Sequence, residues 1–239
     1  KDLTIINNDL RNAGTCTNGS SALFLDKIGS DKLPGGVFIH SNTFDLLKPC
    51  QVFIRQMSGL HIAKQAGAGV NVVLKRSEGF GGSASNGLVL HSVKDSSVKG
   101  LDLSWTGSST WKGNGLHMNG CERMTVEGIK ASGRRNGIEA VGGKDITLKG
   151  NDVRNSGLCS TNTAALYLKN VVADKLAGGV SISGNKFSPT KSCHVFFDGL
   201  KNLKISGKSG TGVNVVLDKS LGFGATTDNA LNLVKVEDT

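Results

Sequence analysis

The chain has 239 residues, with 28 Lys and Arg against 19 Asp and Glu, for a formal charge of +9. Glycine takes 33 positions while proline takes three and aromatics 5%, which excludes collagen and disfavours a core built on bulky rings. The basic surplus favours an anionic partner such as acidic polysaccharide; scattered basic residues without an RNA-binding signature disfavour nucleic acid, and no apolar run approaches the ~18 residues of a membrane-inserted helix.

Short strands of the form apolar, any, apolar follow one another along the chain. The first of each pair begins at Leu23, Val52, Val72, Leu88, Leu116, Ile138, Leu166, Val195, Val215 and Leu231; a second follows most of them, at Val37, Leu60, Leu101, Met124, Ile146, Val180 and Leu203. Period two with flanking Gly and Asn predicts β-strands, and no segment carries a helical period. First strands recur every ~24 residues, the length of one coil of a solenoid. The step from Val72 to Leu88 is short for a full turn, so a sharp corner is expected at the intervening GFGG.

Lys1 to Ser96 laid on Lys144 to Thr239 matches without a gap, 143 positions apart, with about 45% identity, an internal duplication. Segment 97–143 occurs once. The duplication keeps Asn8/Asn151, Asn42/Asn185, Phe44/Phe187, the GxGVNVVL run at Gly67 and Gly210, and the cysteine pairs 34 residues apart. It keeps no histidine: His40, His61 and His91 become Ser183, Lys204 and Val234, and His194 faces Gln51. Asn8, Asn42, Asn151 and Asn185 each follow a second strand, where a corner residue in a left-handed conformation and a stacked amide ladder are expected. The repeated spacing suggests disulfides Cys16–Cys50 and Cys159–Cys193, hence an oxidising, extracellular or cell-surface location. Cys121 is left over. No cysteine or histidine spacing suits zinc, so neither metal nor cofactor is expected.

The run NGLHMNGCERMTVEGIKASGRRNGIEAVGGKDITLKGNDVRNSG, Asn114 to Gly157, resembles the repeats of the pectin-lyase-like, right-handed parallel β-helix superfamily. That resemblance implies an all-β, right-handed parallel β-helix of about ten coils forming one solenoid over residues 1–239. Many members of that superfamily cut or epimerise acidic polysaccharides, and pectin-type hydrolases among them use clustered aspartates with GHG and RIK motifs. None of these motifs occurs here.

Candidate chemistry concentrates in the segment seen once. Register places His117 and Glu139 outward on adjacent coils, with Arg134 and Arg135 in the preceding corner. This set reads either as a group holding or deprotonating an acidic sugar or as an exposed ion pair. Trp105 and Trp111 bracket a loop before the strand, where they either stack on sugar rings or fold the loop down. The outward positions Phe24, Phe53, Val73, Val89, Tyr167, Phe196 and Val216 form a strip too apolar for water, so loops or another molecule must cover it.

Together these features predict a structural repeat of an extracellular fibre or surface protein that self-associates laterally, end to end, or both. Asn18 opens the sequon Asn18-Gly19-Ser20. The alternative is a polysaccharide-active or carbohydrate-binding domain. Because the chain starts at Lys1 and both ends cut mid-coil, a processed or excised piece of a longer array is expected.

Overall fold

The computed structural model describes residues 3–13, 21–28, 36–44, 50–75, 80, 85–105, 113–157, 163–172, 179–188, 193–200, 203–211, 213–218, 220–225 and 229–236. In chain order the strands are β1 (Leu3–Ile6), β2 (Asp9–Leu10), β3 (Leu23–Asp26), β4 (Val37–His40), β5 (Thr43–Phe44), β6 (Val52–Arg55), β7 (His61–Ala63), β8 (Val72–Leu74), β9 (Leu88–His91) and β10 (Lys94–Lys99). They continue as β11 (Leu116–Asn119), β12 (Glu122–Glu127), β13 (Ile138–Val141), β14 (Lys144–Lys149), β15 (Leu166–Lys169), β16 (Val180–Ser183), β17 (Val195–Asp198), β18 (Ile205–Ser206), β19 (Val215–Leu217) and β20 (Leu231–Val234).

Eighteen of these strands form two long parallel sheets, and β2 and β5 pair in a short third one. One long sheet has eight strands, ordered β20-β17-β15-β13-β11-β9-β6-β3; the other has ten, ordered β1-β4-β8-β7-β10-β12-β14-β16-β19-β18. Apart from the pairs β7–β8 and β18–β19, each strand pairs with its counterpart one coil away, as a right-handed parallel β-helix requires. Alternate side chains point between the sheets. Val52, Ile54, Leu88, Leu90, Leu116 and Met118 from one sheet meet Val98, Met124, Val126, Ile146 and Leu148 from the other in a single apolar core. Each such side chain removed from water contributes roughly 1.5–3 kcal/mol.

The described first strands number eight, not ten. Val72 and Val215 open β8 and β19, which belong to the ten-stranded sheet. The coil that starts at β6 gives that sheet two parallel strands: β7 pairs forward with β10, and β8 turns back to lie between β4 and β7. A turn closed by Val70 N–H donating to Gly67 O (3.1 Å) makes this reversal. The same turn, Val213 to Gly210, precedes β19 in the second half. The short Val72-to-Leu88 step is thus the remainder of a longer coil.

Asparagines build the corners, but through their side chains. Positive φ falls on the preceding residue, Asn7, Ser41, Gly150 or Gly184, and not on the expected Asn8, Asn42, Asn151 and Asn185. Asn151 accepts from Ile129 N–H (3.1 Å) and donates Nδ2 to Val126 O (3.1 Å) and Asn185 Oδ1 (3.0 Å); Asn185 donates to Leu148 O (2.9 Å). Asn8 and Asn42 repeat the contact (3.0 Å). Buried backbone groups that a corner cannot pair are thereby satisfied.

Aromatic rings close the core beside these corners. Phe44 packs on Phe80 (5.7 Å between centroids) as Phe187 packs on Phe223 (5.6 Å). Gly143 is dictated by close approach: it has φ +86°, and a Cβ there would collide with the Cys121 carbonyl oxygen.

Candidate functional site

Parallel register fixes what stands beside what on the outer face of the eight-stranded sheet. His117 pairs with Val89 on one side and Glu139 on the other; Glu139 pairs with Tyr167, and Tyr167 with Phe196. Strand neighbours lie about 4.8 Å apart, so the expected contact forms: His117 Nδ1 is 2.5 Å from Glu139 Oε2. Both side chains are half-buried.

Glu139 is more heavily engaged than an exposed ion pair would be. The same Oε2 accepts from Asn114 Nδ2 (2.5 Å), and Oε1 lies 3.5 Å from Asn136 Nδ2. Asn114 and Asn136 belong to a second amide ladder that runs two residues ahead of the strands. Asn136 Nδ2 donates to Asn114 Oδ1 (3.0 Å), and Asn114 N–H donates to Asn86 Oδ1 (3.2 Å). Sequence reasoning missed this ladder, although Asn86, Asn114 and Asn136 each precede an apolar strand by two positions. Glu139 holds His117 Nδ1 and so fixes the ring, and Nε2 makes no hydrogen bond among the described residues.

One coil further, Tyr167 is buried and donates its hydroxyl to Asp198 Oδ2 (2.9 Å), which also lies 3.8 Å from Lys169 Nζ. Burial pushes the Tyr167 pKa up, and the Asp198 hydrogen bond pushes it further; the positive charge of Arg135, an exposed residue, acts in the opposite sense. The Tyr167 hydroxyl is therefore a donor and not a phenolate base at neutral pH.

Arg134 does not join this group. It is 1% exposed, its Nε donates to Leu103 O (2.8 Å), Nη1 donates to Ser85 O (3.2 Å), and its guanidinium lies 5.7 Å from the Trp105 ring centre. Burial lowers its pKa to about 10, partly opposed by Asp102. It pins a corner, and Trp105 is the surface it rests on. The Trp105 indole N–H is buried without a partner among the described residues. Trp111, Cys16, Cys159 and Asn18 lie outside the described residues. Cys50 and Cys193 are buried and neither is free; the Cys121 thiol is free and buried.

The apolar strip is shorter and better covered than its sequence suggests. Val73 and Val216 leave it, because β8 and β19 sit in the other sheet. Val89, Tyr167 and Phe196 are buried by the chain itself. Phe53 is half-buried, and Phe24, at 38%, is the member open to solvent. Of the seven positions, Phe24 and the half-buried Phe53 keep apolar surface open on this face.

His194 is also structural. It is fully buried, stacked 4.8 Å from Phe187, with Nε2 against Ser188 O (2.9 Å) and Nδ1 accepting from Gly224 N–H (3.4 Å). Among the described residues no group of three or more His, Cys, Asp or Glu is arranged to hold a metal ion.

No protein-family model matches the chain, and no curated protein matches it closely enough to count as a relative. A search of solved structures finds similarity to a crystal structure, at 1.95 Å, of a protein from Parabacteroides merdae provisionally assigned as a glycosyl hydrolase. The two share 12% identity over 83% of this chain and 75% of the other, with a TM-score of 0.28. The chain itself establishes a parallel β-helix, and its chemistry has to be argued from its own side chains.

Proposed function

We propose that the chain is a structural β-helix repeat of an extracellular fibre or surface protein, stapled by Cys16–Cys50 and Cys159–Cys193 and associating end to end. The supporting observation is what the two halves share. Both keep the amide ladder, the paired phenylalanines and the turn that doubles a strand, while His117 and Glu139 stand in the segment present once. A second feature agrees. Of the six large exposed apolar side chains among the described residues, five lie at the first and last coils, Ile6 and Phe24 at one end and Leu221, Leu233 and Val234 at the other, while Val172 stands mid-stack. Sheet edges carrying such residues favour pairing with a neighbouring coil.

Light scattering with electron microscopy over a concentration series tests this reading. Rods that lengthen with concentration, and that shorten in Leu233→Asp, support it. A monomer of fixed length at the highest concentration rejects it.

A second reading, a carbohydrate-binding or polysaccharide-active flank, is favoured by His117, whose Nε2 is left free by the Glu139 contact. It does not take the two-carboxylate form of a glycosidase: Glu139 is occupied by His117 and two asparagines, and Asp198 by Tyr167 and Lys169. Product formation from acidic glycans that disappears in His117→Ala would favour this reading over the structural one.

A further inference from the structure

The ten-stranded sheet carries a cleft of about 220 Å³ on its outer face, lined by His61, Ile62, Ala63, Ala68, Gly69, Val70, Ser97 and Lys99. Its polar side chains all carry donors. The Ser97 hydroxyl, 7% exposed, lies 2.9 Å from His61 Nδ1 across the β7–β10 pair, and Lys99 stands at the rim. Glu127 pairs with Lys99 (3.1 Å) but does not line the cleft. The amide groups of Ala68 and Gly69 make no hydrogen bond among the described residues. They belong to the turn closed at Gly67, in which Gly69 takes φ +74°, and consecutive amides around such a residue form an anion-binding concavity. Ala63, Ala68 and Val70 supply apolar wall.

The support beneath the basic residue is built twice. His61 N–H donates to Asn71 Oδ1 (2.8 Å), and Asn71 Nδ2 donates to Gly59 O (2.8 Å). In the second half Lys204 N–H donates to Asn214 Oδ1 (2.8 Å) beside the same turn. The side chain at this place changes from His to Lys, yet a cationic or donor group stays on the glycine turn.

We propose that this cleft binds a small organic carboxylate with a short aliphatic body. The carboxylate is held by the donor that the mutual Ser97–His61 hydrogen bond leaves free and by the Ala68–Gly69 amides, and the carbons rest on Ala63 and Val70. Lys99 supplies long-range attraction at the rim. The site is independent of whether the chain forms fibres.

Titration of the ¹⁵N-labelled full chain with sodium butyrate, against sodium chloride at matched ionic strength, tests it. The expected result is saturable 1:1 shifts of the Ala68, Gly69 and Ser97 amides and the His61 ring, with a dissociation constant on the order of millimolar, as suits so small a ligand. Ser97→Ala and His61→Ala should each weaken binding about tenfold or more while the remaining spectrum stays folded. Acetate should bind more weakly than butyrate, because it leaves the apolar wall empty. Non-saturating shifts equal to those in chloride, unchanged affinity in both variants, or stronger binding of inorganic phosphate than of butyrate would each overturn the assignment.

Discussion

The Tyr167 hydroxyl donates to Asp198 at 2.9 Å, and the positions 143 residues earlier hold Phe24 and Arg55, whose guanidinium sits 5.1 Å from the Phe24 ring centre. The ion pairs beside them are reversed as well: Asp26 with Arg55 in one half, Lys169 with Asp198 in the other. An aromatic ring without a hydroxyl stands beside a cation, and one with a hydroxyl stands beside an acceptor. Complementarity has been kept while every charge changed sign, as expected of contacts that hold coils together and not of reacting groups. Tyr167→Phe should therefore destabilise the chain by about 1 kcal/mol, because Asp198 loses a partner. Urea unfolding should show the loss recovered in the triple variant Tyr167→Phe, Lys169→Asp, Asp198→Arg, which rebuilds the first-half arrangement. A triple variant less stable than the single one would contradict this account.

His194 gives the fold a pH dependence of known sign. Burial holds its folded-state pKa below the ordinary 6.5, so the unfolded chain takes up this proton first. Its contribution to stability is complete above about pH 6.5 and falls as pH drops toward the lowered folded value. His194→Gln copies the buried Gln51 of the other half. The difference in unfolding free energy between this variant and the parent should shift in the variant's favour between pH 7.5 and 5. A difference independent of pH would mean that the imidazole is equally free to protonate in both states.

Asn151 and Asn8 occupy the same place in the repeat, but only Asn151 is buried. Replacing Asn151 with Leu strands Ile129 N–H and Val126 O in the core at ~1–3 kcal/mol each. Asn8→Leu, at the exposed edge, should cost less than about 0.5 kcal/mol. Matched denaturation midpoints for the two variants would show that the ladder does not carry the corners.

Burial raises the Cys121 thiol to about 11, so at pH 8 roughly one in a thousand is thiolate and none is presented to solvent. A disulfide-exchange reagent should leave the folded chain unlabelled and react once urea is added. Fast labelling without denaturant would place this thiol at the surface.

Period two made the strands legible, and the gap-free duplication made the solenoid legible. What stayed hidden depended on chain path and not on pattern. VVL at Val72 and Val215 has the same form as the true first strands; only the reversal at Gly67 and Gly210 sends it to the other sheet. The corner asparagines were found, but their conformational role belongs to the residue before them, because the side-chain amide is needed for the ladder. His117 and Glu139 were paired correctly, since register alone sets their distance. Arg134 was not, because a corner residue has no alternation to say which way it points. Outward position also did not mean exposure at Val89, Tyr167 and Phe196; Tyr167 and Phe196 bury one another together with Ala164 and Cys193.

The coil that supplies two strands to one sheet and one to the other has a mechanical consequence. From β4 to β16 the ten-stranded sheet counts six strand spacings where β3 to β15 counts five, so the doubled coil lengthens one wall by one spacing, roughly 5 Å. That coil alone is a wedge, with its thicker edge in the ten-stranded wall, and it tilts the coils on its two sides relative to each other. Since the doubled coil recurs every 143 residues, a succession of such units would bend at each recurrence and trace a curve instead of a straight shaft.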